Sequence, residues 1–320
     1  MTNANSRVTE VSIVIPVYNS AQILPTLIAE IETFLETGTP RGELILIDDG
    51  SGDDSWEVIE RLAAERAWIR GIRLMRNFGQ HNALLCGIRA ARHGVVVTLD
   101  DDLQHRPSEI SKLLLRLEQG YDVVYGPAEK LQHGLWRDLA SRVTKIALQR
   151  AMGVEAARSV CAFRAFRTNV REGFSGFQGS FVSIDVLLTW GTTRFSVVPT
   201  RHDRRQSGVS QYTFRKLLAH TMNMMTGFST IPLQLASWIG FGMTFFGVVL
   251  LAWVVGRYFV AGDPVPGFPF LASMIAVFSG AQLFALGVMG EYLARIFHRS
   301  MDRPAYSIRQ TLRDTSESLP

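Results

Sequence analysis

Short apolar runs alternate with amphipathic stretches along roughly the first two hundred residues. The apolar runs are almost continuous, which is typical of strands buried on both faces of a parallel sheet. They cover residues 11–17, 43–49, 69–75, 95–102 and 121–126. The stretches between them place apolar residues at helical spacing and therefore predict crossover helices. The pattern predicts an α/β fold with a Rossmann-like, mostly parallel sheet between two layers of helices.

The chain becomes almost uncharged and strongly apolar after Pro232. Residues 232–259 carry no charge before Arg257, and residues 268–297 carry none before Glu291. Each run is long enough for the ~20 apolar residues that cross a bilayer. A buried pair of soluble helices is the alternative, but soluble helices of this length usually keep a polar face. The sequence therefore predicts two transmembrane helices that form a hairpin.

Basic residues set the expected orientation of this hairpin. Arginine and lysine flank its two outer ends, whereas the connecting turn 261–267 carries neither. Because positive residues favour the cytoplasmic side, we expect both termini in the cytoplasm. The segment before the hairpin mixes basic and apolar residues, as interfacial helices do. The predicted organisation is an α/β domain at 8–210, interfacial amphipathic helices at 211–231, the transmembrane hairpin at 232–297 and a cytoplasmic tail at 298–320.

Composition, cysteine spacing and the N-terminal residues add further constraints. The chain is 47% hydrophobic and only 19% charged, which is apolar for a soluble enzyme, and its net charge of +4 suggests an anionic partner or surface. Its two cysteines, Cys86 and Cys161, have neither metal-site spacing nor a disulfide framework. The first ten residues lack an apolar core, so we do not expect a signal peptide there.

Polar side chains gather where the predicted strands end. Ligands of parallel sheets bind beyond the carboxyl ends of the strands, so these residues are candidates for a site. They are Tyr18 and Asn19 after the first strand, Asp48 and Asp49 after the second, Arg76 and Asn77 after the third, and three aspartates after the fourth.

The three aspartates at the end of the fourth strand need a compensating charge. Asp100 and Asp102 are two residues apart, so on an extended segment they face the same side while Asp101 points away. Gln104 can add a carbonyl oxygen on that side. Hard oxygen ligands suit Mg²⁺ or Mn²⁺, which commonly bind through one or two carboxylates and substrate phosphates. We therefore predict a metal site at Asp100, Asp102 and Gln104.

A second acidic motif, IDDGSGDDS, covers residues 47–55. Its later residues are explained by a helix N-terminus, which favours acidic and hydroxyl side chains. Asp48 and Asp49 come earlier, where a carboxylate can accept hydrogen bonds from a nucleobase or a ribose. Together the two acidic motifs suggest a sugar nucleotide whose diphosphate is bridged by the metal. A dinucleotide cofactor is less favoured because no G-x-G-x-x-G follows the first strand.

Four motifs in order, IPVYN, IDDGS, RNFGQHNA and LDDDLQ, resemble those of family 2 glycosyltransferases of the GT-A fold. The later motifs RRQSGVSQY, TIPLQL, GAQLFALGVMGEYLARI and RPAY are similar to those of membrane-anchored polyprenyl-phosphate glycosyltransferases. Within that class, the undecaprenyl-phosphate 4-deoxy-4-formamido-L-arabinose transferase group is the most similar, through RNFGQHNA, CAFRAFR and the GAQ…GEY helix. The resemblance spans about residues 8–310.

The resemblance implies a function and a set of partners. The expected reaction is inverting transfer of a sugar from a nucleotide sugar to polyprenyl (undecaprenyl) phosphate, with Mg²⁺ or Mn²⁺ as cofactor. It would take place at the cytoplasmic face of a bacterial inner membrane and serve cell-envelope glycan or lipopolysaccharide modification. Membrane lipid is an expected partner and nucleic acid is not. A homo-oligomer is expected, with a tetramer favoured.

The resemblance also assigns site residues. Those implied to hold the nucleotide are Pro16, Tyr18, Asn19, Asp48 and Asp49. Those implied to contact acceptor phosphate are Arg137 and Ser141, as in dolichyl-phosphate mannose synthases, with Arg164, Arg205 and Ser210 from later motifs. The catalytic set is Asp100, Asp102, Arg137 and Arg205. No strong general base is required, because a polyprenyl phosphate is already an anion near neutral pH.

The sequence departs from the family pattern at several positions. Ser20 replaces the usual glutamate of PVYNE, and Gln211 replaces a common lysine. Ala128 stands where relatives carry an arginine, for which Lys130 can substitute. Ala162 stands where many relatives have an aspartate, so we assign no catalytic role there.

Two other function classes stay open at this point. A processive polysaccharide synthase uses the same fold, but it usually needs more membrane spans and a Q-x-x-R-W motif, which this sequence lacks. A non-catalytic scaffold is the other, and the intact acidic motifs weigh against it. The sequence leaves the nucleotide, the sugar and the prenyl chain length undetermined.

Overall fold

The computed structural model describes residues 8–37, 41–128, 159–179, 181–203, 231–261, 267–301 and 303–313. The chain divides into two compact units. The larger unit comprises Met1–Tyr212 together with Asp302–Pro320, and the smaller comprises Thr213–Met301.

Four parallel strands form the centre of the larger unit. They are β1 (Glu10–Val17), β2 (Arg41–Asp48), β3 (Ile69–Leu74) and β4 (Val95–Thr98), in the order β4-β1-β2-β3. The crossovers are α1 (Leu24–Thr37), α2 (Ser55–Glu65) and α3 (Gln80–Ala90). Apart from its first residue, β1 is buried throughout, as expected for a parallel strand covered on both faces. Val17 pairs with Asp48, so β1 and β2 end side by side at one edge of the sheet.

Further elements extend the sheet beyond β4. A 3₁₀ turn (Pro107–Glu109) leads into α4 (Ile110–Glu118) and β5 (Val123–Tyr125). After them come β6 (Arg164–Arg167), a 3₁₀ helix (Thr168–Phe174), α5 (Ile184–Gly191) and β7 (Phe195–Val197). Strand β6 runs antiparallel between β4 and β5, whereas β5 and β7 are parallel. The prediction of a mostly parallel α/β sheet is confirmed.

Two apolar clusters cover the faces of the sheet, which is the three-layer arrangement that the sequence predicts. Helix α3 lies very close to its face because Gly87 has no side chain. A Cβ atom at Gly87 would come within 2.4 Å of Val14 and 2.5 Å of Ile47. This close contact fixes the height of α3 above the sheet, and with it the position of the residues at its N-terminus.

The end of the chain differs from the predicted tail at 298–320. Residues Ile308–Leu312 form strand β8, which pairs antiparallel with β3 and places Gly71 opposite Leu312. The sequence IRQTL has too few apolar residues to mark a strand, and its pairing depends on the edge of β3, which offers backbone groups that need hydrogen bonds. The larger unit is therefore discontinuous in sequence: its sheet is completed only after the two apolar helices.

The smaller unit contains α6 (Ile231–Ala261) and α7 (Phe268–Ser300), which match the predicted spans 232–259 and 268–297. The stretches Leu233–Arg257 and Val277–Ala294 have mean hydropathies of 2.1 and 1.2, and most of their large apolar side chains that the structure describes are exposed. Long helices with so much exposed apolar surface are suited to lipid. The interfacial helices predicted at 211–231 fall almost entirely outside the described residues.

Because β8 joins the sheet that contains β1, a chain that crosses a bilayer in α6 must return to the same side in α7. In a bacterial host, we expect a membrane-impermeant maleimide to label Gly262→Cys in intact cells. The matched variant Ser316→Cys, in the C-terminal segment, should label only after permeabilisation. Labelling of position 262 that requires permeabilisation would contradict the hairpin.

Candidate functional site

An open cleft of about 380 Å³ lies at the carboxyl ends of the central strands. Its lining comes from four strand-end loops: Pro16, Val17, Tyr18, Asp49, Asn77, Gly79, Gln80, Asp100, Asp101 and Asp102. This is the position at which α/β sheets bind ligands. The structure thus brings both predicted acidic motifs to one cleft.

Asp49 ties the end of β2 to the start of α3. Its side chain is almost fully buried, and its two oxygens accept hydrogen bonds from the backbone N–H groups of Phe78 (2.7 Å) and Gly79 (2.8 Å). Burial raises the pKa of Asp49 above its ordinary value and the charge of Asp48 adds to this, although the two N–H donors oppose the shift. Asp49 is therefore an anchored carboxylate on the wall of the cleft.

Two residues predicted to hold the nucleotide, Asp48 and Asn19, support the cleft without lining it. Asp48 is fully buried, accepts a hydrogen bond from the Ser51 N–H (3.0 Å) and lies 3.3 Å from Arg73 Nε. Asn19 has a left-handed backbone (φ 54°), and its side-chain oxygen accepts a hydrogen bond from the Gly52 N–H (2.8 Å). Both therefore shape the loop after β2, and any direct contact with a nucleotide stays a prediction.

The aspartates after β4 do not continue an extended strand. Strand β4 ends at Thr98, and residues 101–104 form a turn in which Leu103 has a φ of 57°. Asp101 was expected to point away from its two neighbours, yet all three aspartates line the cleft, with Asp101 bonded to the loop after β1. A tight turn does not keep the two-residue alternation of a strand, on which that expectation rested.

Asp101 is a site residue that the sequence reasoning missed. Its Oδ2 accepts hydrogen bonds from the Ser20 hydroxyl (2.5 Å) and from the Tyr18 N–H (3.3 Å). Burial raises the pKa of Asp101, and the neighbouring charge of Asp102 adds to the effect, although both donors oppose it. The family resemblance implies a glutamate at position 20. The Ser20 hydroxyl found there instead donates to a carboxylate of the loop after β4.

Gln80 is another residue of the cleft that the sequence reasoning missed. It begins α3 within the RNFGQHNA motif, and its side-chain amide donates to Asp100 Oδ1 (2.6 Å). The motif contained the signal, but only the folded chain shows which of its residues meets an aspartate.

The fit of the cleft to a divalent metal depends on its carboxylates. Asp100, Asp101 and Asp102 supply the hard oxygen ligands that Mg²⁺ and Mn²⁺ prefer. Across the described residues, no group of three or more acidic, histidine or cysteine side chains is arranged to hold a metal ion. One or two carboxylates with substrate phosphates and water fit such ions, so the arrangement is compatible with a metal that arrives with its substrate.

Gln104, the third predicted metal ligand, is not among the residues that line the cleft. Its backbone belongs to the turn: its N–H donates to Asp102 Oδ1 (3.2 Å), and its carbonyl accepts from the Asp203 N–H (2.9 Å). The turn after Asp102 directs the chain toward Asp203, so the expected alternation of Asp100, Asp102 and Gln104 on one side does not hold.

Arg164 lies in the core. It is 1% exposed, its guanidinium pairs with Asp185 on α5, and its Nε donates to the Thr98 hydroxyl (3.1 Å). Burial opposes a charge here, but Asp185 and, more weakly, Tyr125, Cys161 and Asp100 together outweigh it, and the pKa of Arg164 is raised above its ordinary value. This arrangement argues against the implied contact with an acceptor phosphate, because the guanidinium is already buried and paired behind the end of β4.

His105 follows the turn and packs on two rings. It stacks on Phe163 with centroids 4.9 Å apart and meets His202 edge-on at 4.8 Å. Burial lowers the pKa of His105 to about 4, with a further contribution from His202, so its imidazole is neutral at physiological pH. The residues predicted for the acceptor side, Arg137, Ser141, Arg205 and Ser210, lie outside the described residues.

The chain is similar to proteins of known family over most of its length. The family model "Glycosyl transferase family 2" matches residues 12–173. An undecaprenyl-phosphate 4-deoxy-4-formamido-L-arabinose transferase from Pseudomonas savastanoi pv. phaseolicola is 36% identical over 311 residues, covering 96% of this chain and 92% of the relative. A transferase of the same name from Shewanella sediminis is 34% identical over 311 residues, covering 96% and 94%.

A solved structure shares the fold of the larger unit. Glucosyl-3-phosphoglycerate synthase from Mycobacterium tuberculosis, in complex with Mn²⁺, uridine diphosphate and glucosyl-3-phosphoglycerate, aligns with a TM-score of 0.52. The alignment covers 68% of this chain and 78% of that one at 20% identity. At this identity the likeness shows the fold alone.

The raised pKa of Asp101 predicts how stability changes with pH. An acid whose pKa is higher in the folded state binds its proton more tightly there, so its ionisation removes stability as pH rises through that pKa. We expect Asp101→Asn to raise the Tm of the metal-free protein at neutral pH and to flatten its fall between acidic and neutral pH. Thermal unfolding followed over that range measures this.

Asp53 provides a control of opposite sign. Its pKa is lowered: burial opposes the charge, but hydrogen bonds from Ser55 and the Ala21 N–H outweigh it. Its stabilisation is present at neutral pH and lost as pH falls through the lowered pKa. Asp53→Asn should therefore lower the Tm at neutral pH. A decrease in Tm for Asp101→Asn under the same conditions would contradict a raised pKa at Asp101.

Proposed function

The chain belongs to glycosyl transferase family 2, and from that premise we propose that it transfers a sugar from a nucleotide sugar to a polyprenyl phosphate. The observation that carries the proposal is similarity over 96% of the chain to transferases named for undecaprenyl phosphate. The acidic cleft at the sheet edge adds the chemistry that a nucleotide sugar requires. The product would be a polyprenyl-monophosphate sugar, with undecaprenyl phosphate the first acceptor to test.

The cleft suits the donor. Tyr18 is half exposed on its rim, so its ring is available to lie against a base or a ribose. Asp49 offers an anchored carboxylate at the end of β2, and Pro16 also lines the cleft. In this proposal Asn19 and Asp48 hold the loops that carry these contacts.

Asp100 and Asp102 would hold Mg²⁺ or Mn²⁺. The bound metal would offset the negative charge that develops on the diphosphate as it leaves. The solved neighbour was captured with Mn²⁺ and uridine diphosphate, which supports testing that pair first. Gln80 donates to Asp100 and thereby limits the rotation of the carboxylate.

Beyond binding the metal, the protein has to position the acceptor phosphate against the anomeric carbon of the sugar. An oxygen of the acceptor phosphate attacks the anomeric carbon, the bond from that carbon to the diphosphate oxygen breaks, and the configuration inverts. Arg137, Arg205, Ser141 and Ser210 are proposed to bind the acceptor phosphate, since planar guanidinium groups bind phosphate oxygens in pairs. The two anions repel each other, so holding them together accounts for much of the catalysis.

The proposed setting is the cytoplasmic face of a bacterial inner membrane. The two long apolar helices, and a sheet completed only after the second of them, support a hairpin with both termini on the catalytic side. A homo-oligomer, with a tetramer favoured, remains a prediction from the family resemblance.

One experiment tests the proposed function directly. Purified protein in detergent is incubated with undecaprenyl phosphate and a panel of UDP-, GDP- and dTDP-linked radiolabelled sugars, with Mg²⁺, Mn²⁺ or EDTA. We expect one lipid product that carries a single sugar, with release of the nucleoside diphosphate. A chain of several sugars would favour a processive synthase, and no transfer from any donor would favour a scaffold.

Asp102→Asn should keep the fold and reduce kcat by at least about a hundredfold, because the metal loses a charged ligand. The matched control is Asp122→Asn, at the amino end of β5 and so at the opposite edge of the sheet. The control should keep nearly full activity. Full turnover by Asp102→Asn, or wild-type activity that EDTA does not reduce, would remove the metal from the mechanism.

Arg137→Ala and Arg205→Ala should each lower kcat/KM for polyprenyl phosphate by roughly ten- to a hundredfold, the effect of losing a charged hydrogen bond worth ~1.5–3 kcal/mol. Nucleotide-sugar binding, measured by calorimetry, should change little. If both variants instead lose nucleotide binding while their lipid dependence is unchanged, these arginines belong to the donor side.

A further inference from the structure

The segment that follows the second apolar helix contacts α3, the helix that begins with the cleft residue Gln80. Helix α7 ends at Ser300, and residues 303–312, here called the strap, lead into and include β8. The N–H of Met75, directly after β3, donates to the Ser307 carbonyl (2.9 Å). The strap thus extends the edge of the sheet at the same end of β3 from which the chain enters the RNFGQHNA loop.

Asn82 joins the strap to helix α3. Its side chain is 7% exposed, and its amide nitrogen donates to the Ala305 carbonyl (2.5 Å). The next strap residue, Tyr306, has its ring 5.8 Å from the Arg89 guanidinium and contacts the thiol of Cys86. Ala305 and Tyr306 therefore cover one side of α3 from its first turn to its last.

The first turn of α3 also carries the donor side of the cleft. Gln80 in this turn donates to Asp100, and the preceding Gly79 N–H donates to Asp49. The Asn82 N–H donates to the Gly79 carbonyl (2.9 Å), so Asn82 belongs to the same turn. One helical turn is thus bonded to the cleft on one side and to the strap on the other.

This turn has no side-chain cap of its own. The N-cap residue is Gly79, with a φ of 98°, and no side chain caps the helix there. Helix N-termini leave N–H groups unsatisfied and fray unless neighbours hold them. Asp49 holds the turn from the sheet, and Asn82 holds it from the strap.

We infer that Asn82 is a positioning residue for donor binding, and that it couples the strap to the cleft. The inference rests on the proposed function of the cleft as a nucleotide-sugar site. The donor binds best when the first turn of α3 is fixed in place by its hydrogen bonds, so the strap strengthens donor binding through Asn82. By reciprocity the donor stabilises the strap by the same factor. The strap therefore contributes to donor affinity although it does not line the cleft.

Hydrogen exchange on the wild-type protein tests the coupling without any substitution. The probes are uridine, guanosine and thymidine diphosphates, each with Mn²⁺, added to the full-length protein in detergent. We expect the nucleotide that binds to slow exchange of the strap amides, because local opening of the strap becomes less favourable. Unchanged strap exchange at saturating nucleotide, with protection confined to the cleft loops, overturns the inference.

Two variants separate positioning from plain stability. Asn82→Asp keeps the shape but turns a carboxylate toward the Ala305 carbonyl, and Asn82→Ala removes the group. Each should raise the Kd of the nucleoside diphosphate about five- to tenfold, as expected for one lost buried hydrogen bond. The KM for polyprenyl phosphate should stay unchanged, and bound nucleotide should no longer protect the strap.

The matched control is Gln310→Ala, which lies in the same strap but contacts α2, where its amide donates to Glu60 (3.2 Å). It should leave nucleotide Kd unchanged even if Tm falls. Equal Kd for the wild type and both Asn82 variants overturns the inference, as does an equal loss of affinity in Gln310→Ala. If the wild-type protein binds none of the three nucleotides, the proposed donor site fails as well, and with it this inference.

Discussion

Negative charge gathered at the carboxyl ends of the parallel strands is the constraint on which the rest of this structure depends. The ends of β2 and β4 carry five aspartates within a small volume, and Coulomb repulsion and burial both act against them. The chain offsets this charge in several ways. Asp48 lies against Arg73, Asp49 accepts two backbone N–H groups, and Asp101 accepts the Ser20 hydroxyl.

These contacts also organise the cleft. The hydrogen bonds that Phe78 and Gly79 donate to Asp49 tie the loop after β3 to the end of β2. Those that Tyr18 and Ser20 donate to Asp101 tie the loop after β1 to the loop after β4. Asp100 and Asp102 share the cleft with them, and a divalent cation bound with a diphosphate would complete the charge balance. The stability of the empty protein and the proposed affinity for donor thus draw on the same carboxylates, which is a common compromise at functional sites.

The discontinuity of the larger unit in sequence affects both its sheet and its cleft. A sheet edge needs hydrogen-bonding partners, and β8 supplies them for β3 after the chain has passed through two apolar helices. Because the strap also reaches Asn82, the pairing at the edge does more than cover backbone groups. It places the strap in contact with the helix that carries Gln80.

The sequence by itself determined the features that depend on local pattern. The apolar runs predicted the central strands, the uncharged stretches predicted α6 and α7, and the ordered motifs identified the family and the strand ends that form the site. Tertiary structure decided what depends on contacts between distant residues. Asp101 turns toward Tyr18, 83 positions away, Arg164 is buried against Asp185, and Asn82 meets Ala305, 223 positions away. Periodicity reports which face of an element is apolar, but it carries no information about which loop a polar side chain will meet once the sheet has assembled.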